Sequence, residues 1–183
     1  LNVFVRAMQA EPRRVVYKNM TCDRHSEIHA DSAFAKEDAK GYALKGINII
    51  RRGQTRADKQ VAWHLLEGSA QSHKNVVRST FGAELFAVTG AVDSSIPVLV
   101  TLQEFTHGPL ALTEARRLRE EGGWAFRATV VTDNMGLFQA LASFVAKLPT
   151  EKSLSLHFLW LREILLKKVI TALQWSDTRD MTA

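Results

Sequence analysis

Cysteine occurs once in the 183 residues, at Cys22. A single thiol excludes an internal disulfide and any cysteine-rich zinc site, and it agrees with a reducing compartment. The six histidines, His25, His29, His64, His73, His107 and His157, show neither HExxH nor any comparable metal-ligand spacing. No run approaches the ~18 uncharged apolar residues of a membrane-spanning helix, so no span is expected. The first residues lack the basic segment and apolar run of a secretory signal. No internal repeat or low-complexity tract occurs. Ser79 has no paired base nearby in sequence, which argues against a serine hydrolase.

What is present is the composition of one globular domain with a sizeable core: 46% hydrophobic and 23% charged residues. Acidic residues are outnumbered, 19 against 24 Lys and Arg, for a net charge of +5 and a pI of about 9.6. That excess fits an anionic partner such as nucleic acid, although it fits many other proteins too.

Hydrophobic periodicity divides the chain. Leu1, Phe4, Val5 and Met8 lie at helical spacing, and Pro12 closes that segment. Val15 to Tyr17, Ile28 to Phe34 and Tyr42 to Ile50 read as strands, and Val61 to Leu66 with Asn75 to Val77 as a third principal strand carrying a loop. Arg51 to Lys59 reads as an exposed basic connection. A helix capped by Ser79 or Thr80 is expected to run to about Ser94, with Pro97 breaking or kinking it or starting a second. Thr113 to Glu121 reads as a charged helix closed by Gly122-Gly123, Phe126 to Thr132 as a buried parallel strand, and Asn134 to Ala146 as a helix. A long helix follows Pro149, with Leu154, Phe158, Leu161 and Leu165 on one face, and then a final strand from Val169 to Trp175. His157 reads as a packing or surface residue, and Trp63, Trp160 and Trp175 as core. This order, strands first and then strands alternating with helices, predicts an α/β mixed sheet flanked by helices. Chemistry in such sheets gathers at the carboxyl ends of the parallel strands.

Three acidic residues suit that location. Asp31 lies within a strand, Glu84 in the first turns of a helix, and Asp133 directly after Val130-Val131-Thr132. A carboxylate beside apolar core needs compensation, which a divalent cation can supply. Each also has a plainer reading: Asp133 as a helix cap, Glu84 as a partner of the helix dipole, Asp31 as a solvated strand residue. Residue types and spacing alone leave both readings open.

The run Val77-Arg78-Ser79-Thr80-Phe81-Gly82-Ala83-Glu84-Leu85 resembles the R-S-T/S-x-x-A-E segment of copia-type LTR retrotransposon polyproteins. Ala30-Asp31-Ser32-Ala33-Phe34 is similar to that family's S-D-A-D-W strand, Gly41-Tyr42-Ala43-Leu44 to its G-Y-V-F strand, and Val131-Thr132-Asp133-Asn134 to its x-x-D-N element. Glu151 to Glu163 and Trp175 to Ala183 resemble two further segments, and Leu1 to Tyr17 the stretch joining reverse transcriptase to ribonuclease H. The matches are individually weak, but they follow the family's order along essentially the whole chain. The sequence departs in a short stretch between Asp31 and Gly41, in Ser153 and Ser155 where the family carries histidine and aspartate, and in a long insertion from Pro97 to Gly123.

The resemblance implies a ribonuclease H-like mixed five-stranded sheet, three antiparallel strands and then parallel ones, with helices around it. It implies a connecting segment over residues 1–26 and a ribonuclease H-like domain over 27–183, with the family's fourth aspartate falling just past Ala183. Function would be hydrolysis of the RNA strand of RNA–DNA hybrids, with Asp31, Glu84 and Asp133 as catalytic ligands of two Mg²⁺ or Mn²⁺ ions. Phosphates would meet Arg51, Arg52, Arg56, Lys59, Lys74 and Arg78, each of which is as readily a solvated basic residue. The partners implied are the hybrid and a reverse transcriptase domain of the same polyprotein, inside the cell, in a cytoplasmic particle or the nucleus. The alternatives are an inactive ribonuclease H-like relic or domesticated module that binds nucleic acid, and an unrelated basic α/β protein. With three carboxylates, low activity is expected of the chain by itself.

Overall fold

The computed structural model describes residues 17, 20, 25–33, 43–56, 60–73, 77–145 and 148–180. The expected first helix, the loop containing Cys22 and most of the strand at Val15 to Tyr17 lie outside these residues, as do Gly41-Tyr42, Lys59 and Lys74. Of that early strand only Tyr17 is described; it is exposed, and its hydroxyl donates to the Leu65 carbonyl at 2.8 Å.

Five strands form one sheet: β1 (His25–Ala33), β2 (Leu44–Gln54), β3 (Val61–Ser72), β4 (Arg127–Thr132) and β5 (Ala172–Trp175), in the order β3-β2-β1-β4-β5. β1 pairs antiparallel with β2, and β2 with β3; β1 with β4 and β4 with β5 are parallel. This is the expected mixed sheet. β1 is its central strand and is buried on both faces.

One face carries Ile28, Ala30, Ile47, Ile49, Ala128 and Val130, which join a single apolar core with the helices. α1 (Thr80–His107) supplies Leu85, Ala87, Val88, Ala91, Val92 and Leu99 to it; α2 (Leu112–Glu121) adds Leu118, and α3 (Met135–Ala142) adds Leu137 and Leu141. α4 (Ser155–Leu166), entered through a 3-10 turn at Lys152–Leu154, adds Phe158, Leu161 and Ile164. α1 is long and apolar enough to cross a membrane by length and composition. Here it lies along the sheet as the central core helix, with twelve buried residues.

Several local expectations are corrected. β2 continues through Arg51 and Arg52 to Gln54, because each of these residues pairs across to β3, so the basic segment begins as strand. β3 is one continuous strand to Ser72, and Val77 lies outside it. Pro97 does not end the helix: α1 runs unbroken to His107. Proline removes one i to i−4 hydrogen bond. Here it sits on the exposed side, and so does Asp93, whose carbonyl loses the partner and can turn to water. Burial of Val92, Ser95 and Leu99 around it holds the flanking turns. Trp63 and Trp175 are exposed and Trp160 only half-buried; the buried indole is Trp124, which donates to the Val169 carbonyl at 2.9 Å. Gly122 closes α2 as expected, with φ 72°.

Candidate metal centre

Parallel pairing sets the first two carboxylates. His29 lies opposite Val131, so Asp31 on β1 falls beside Asp133 just past the end of β4. Glu84 arrives from the helix layer, and Ser79 fixes where that helix begins. The Ser79 side chain accepts from the Gly82 N–H at 3.1 Å, which starts α1 at Thr80 and places Glu84 in its second turn. One oxygen from each of Asp31, Glu84 and Asp133 lies within 4.8 Å of the others.

Their surroundings differ. The Glu84 side chain is buried, the residue being 4% exposed, and its Oε2 has no hydrogen-bond partner. Burial, then the charges of Asp31 and Asp133, push its carboxyl up to about 8. Asp31 is half-buried and is also pushed up, first by burial and then by Asp133, while a 2.7 Å hydrogen bond from the Ser32 N–H works the other way. Asp133 accepts at Oδ2 from the Thr178 hydroxyl at 2.7 Å, and its carbonyl accepts from Trp175 Nε1 at 2.9 Å. The cap of α3 is Asn134, whose side chain accepts from the Leu137 N–H at 2.9 Å. Asp133 is therefore not the capping residue that its position in sequence also allowed.

Three carboxylates held this close repel one another, and an unpartnered buried oxygen has no countercharge from the described residues. Hard oxygen donors of this kind suit Mg²⁺ or Mn²⁺ rather than zinc. The donor set fits a divalent cation, and a cation would supply the missing compensation.

A second buried carboxylate shows the contrast. Glu27, on the sheet face opposite α1, is 3% exposed. It accepts from Arg52 Nη1 at 2.9 Å and lies 3.2 Å from His29 Nε2. The bond to His29 and the guanidinium of Arg52 outweigh burial and hold its carboxyl down near 2.

The expected basic contacts are spread out. Arg51 and Arg52 pair with Ser26 and His25, at the end of β1 away from Asp31, roughly 15–20 Å along the strand. Arg52 is engaged with Glu27. Arg56 is exposed in the turn after β2. Arg78 is exposed just before the cap of α1, where it lines an open groove of about 640 Å³ with Phe81, Pro149, Thr150 and Glu151. Arg78 is the described arginine of the expected set nearest Glu84 in sequence. Of the histidines, His157 packs edge-on against Phe86, with ring centroids 4.8 Å apart.

Residues that the sequence reading passed over also meet here. Thr178 braces Asp133 from the segment after β5. Ser32, next to Asp31, donates through its hydroxyl to the Leu44 carbonyl at 3.1 Å and lies 3.5 Å from Nε2 of the buried His73. Neither carries a sequence signal, because the contacts span 45 and 41 residues.

No family model matches the chain. No curated protein matches it either. Solved structures do. Ribonuclease H1 LC11, isolated from compost by a metagenomic approach, superimposes with a TM-score of 0.51 at 16% identity, over 85% of this chain and 86% of that one. The chain has a ribonuclease H-like fold. Ribonuclease H1 of the archaeon Halobacterium salinarum gives a TM-score of 0.49 at 10% identity, over 85% of this chain and 87% of that one. LC11 ribonuclease H1 in complex with an RNA/DNA hybrid gives 0.48 at 16% identity, over 86% and 88%.

Proposed function

We propose that this chain is a ribonuclease H that hydrolyses the RNA strand of RNA–DNA hybrids, with Asp31, Glu84 and Asp133 holding divalent metal. The observation that carries the reading is the convergence of these three carboxylates, one of them buried with an unpartnered oxygen, at the carboxyl ends of β1 and β4 in a ribonuclease H-like sheet. A cluster that serves only the fold would be expected to come with its own cations, as Glu27 does.

Two Mg²⁺ or Mn²⁺ ions bound there would activate the attacking water and neutralise charge on the leaving oxygen. The protein's own part is to hold ligands and substrate. Asp31 would be the ligand shared by the metals, with Glu84 and Asp133 completing the set. Arg78, lining the groove at the start of α1, would hold a phosphate, with Arg51 and Arg56 as further basic contacts and Arg52 shared with Glu27. The 2′-hydroxyl of the RNA strand is the group that distinguishes it from DNA.

The copia-type motifs support a setting in a retrotransposon polyprotein, with residues 1–26 as a connecting segment behind a reverse transcriptase domain and 27–183 as the nuclease. The reaction would then serve reverse transcription. Cleavage of an end-labelled hybrid in Mg²⁺ or Mn²⁺, with the DNA duplex and the Asp133→Asn variant as controls, tests the function. Equal cleavage by wild type and Asp133→Asn would refute the assigned site. Tight hybrid binding without cleavage would mark the chain as a relic that binds nucleic acid.

A further inference from the structure

We propose that Thr178 is a positioning residue, whose hydroxyl orients the Asp133 carboxylate toward a divalent cation shared with Asp31 and Glu84. The inference rests on the metal-centre reading above.

Asp133 stands at a place where the fold alone leaves it loose. β4 ends at Thr132 and α3 starts at Met135, so Asp133 belongs to neither element. It is half-buried and faces two other carboxylates. Like charges favour a rotamer that swings one of them out to solvent. Three hydrogen bonds from a single short segment oppose that. The Ser176 N–H donates to the Thr132 carbonyl at 3.1 Å, Trp175 Nε1 to the Asp133 carbonyl at 2.9 Å, and Thr178 Oγ1 to Asp133 Oδ2 at 2.7 Å. The first two fix the main chain; only the third fixes the carboxylate itself.

The chemistry of that third bond suits a ligand. A hydroxyl donating to an ionised carboxylate makes a short, charge-assisted hydrogen bond. It uses one of about four acceptor positions and leaves the rest for a cation. The neighbouring acid, Asp177, is engaged with Arg179 at 3.1 Å and does not compete for the hydroxyl. Thr178 thus plays the part of an outer residue that aims a metal ligand without touching the metal.

The test uses the whole chain and Mn²⁺ alone, with free Mn²⁺ read by its paramagnetic resonance signal and unfolding followed in chelator. Thr178→Val keeps the shape and removes the donor; Thr178→Ser restores it. The expected result is Mn²⁺ affinity weakened roughly 10–100-fold in Thr178→Val, recovery in Thr178→Ser, and an unchanged unfolding midpoint in chelator for both. Mn²⁺ binding by Thr178→Val equal to wild type, while Asp133→Asn is impaired, would overturn this inference and leave the metal centre standing. A midpoint in chelator that falls together with affinity would make Thr178 a structural staple and also overturn it. Wild type binding Mn²⁺ no better than Asp133→Asn would remove the metal centre and the inference together.

Discussion

Glu84 makes the charge frustration of the site measurable without any substrate. Its carboxyl titrates near 4.5 in the unfolded chain and is pushed up to about 8 in the folded one, first by burial and then by Asp31 and Asp133. The folded protein therefore holds a proton that the unfolded chain has released throughout the interval between those values. Stability is full below about pH 4.5 and declines as pH rises toward 8, where the buried group must ionise. At ~1.36 kcal/mol per pH unit the interval corresponds to a ceiling on the order of 5 kcal/mol. Asp31 and Asp133 are partly open to solvent, which screens some of the repulsion, and about 3 kcal/mol is expected. The assay is urea unfolding of wild type and Glu84→Gln in chelator between pH 5 and 9. With a urea dependence of roughly 2 kcal/mol per molar, the wild-type midpoint should fall by ~1.5 M relative to the variant across that range. Millimolar Mg²⁺ should restore the wild type at high pH and leave the variant little changed, because the cation replaces the missing countercharge. Parallel midpoints for the two proteins from pH 5 to 9 without metal would refute the claim that Glu84 is buried among repelling charges.

Other perturbations address separate parts of the structure. Asp133→Asn should retain the folded far-ultraviolet spectrum and lose at least ~100-fold in hybrid cleavage in a single-turnover assay. Arg52→Ala should cost about 1–3 kcal/mol in urea unfolding at pH 7, because it strips the guanidinium from buried Glu27. That loss should shrink as pH falls from about 4.5 toward 2, the range over which Glu27 takes up its proton. Arg78→Ala should instead leave stability alone, weaken hybrid binding, and lower the salt dependence of that binding by about one phosphate contact. Phe158→Ala, which empties a fully buried site in the core, should destabilise by roughly 3–5 kcal/mol in the same unfolding assay, and a loss under 1 kcal/mol would contradict its packing.

The sheet was readable because its strands announce themselves. Ile28, Ala30, Ile47, Ile49 and Val130 are β-branched or small residues set in short runs, and strand alternation alone puts them on one face. Helix ends were readable at Ser79 and Gly122, where one side chain and one absent side chain decide the geometry. The misreadings share a cause: each took a local signal for a tertiary outcome. Charge on Arg51 and Arg52 suggests a loop, yet pairing with β3 holds both in a strand, and Glu27 engages Arg52. Pro97 suggested a break, yet the core contacts of Val92 and Leu99 outweigh a single lost hydrogen bond. The indoles of Trp63, Trp160 and Trp175, expected in the core, are exposed or half-exposed, since a tryptophan carries no periodic partner to reveal its face. The residues of the site could be selected only through an ordered resemblance of motifs. Their mutual approach, and the support from Thr178, depend on strand order, which no local pattern contains.

Glu27 and Glu84 are two buried carboxylates in opposite electrostatic company. Both are glutamates, both are almost fully buried, and both sit within the layers around β1. Desolvation penalises the two in the same direction. What differs is the company: Arg52, His29 and His25 surround Glu27, whereas Asp31 and Asp133 surround Glu84. The first arrangement is self-sufficient, so its carboxyl is held near 2 and the ion pair needs nothing from solution. The second is incomplete by about the charge of a divalent cation, and its carboxyl stays protonated near neutrality until one arrives. A fold gains nothing in stability from the second arrangement, because replacing such a cluster with apolar residues would remove the repulsion outright. Its position at the carboxyl ends of two parallel strands fits the divalent cation proposed for it, whose charge would offset the repulsion.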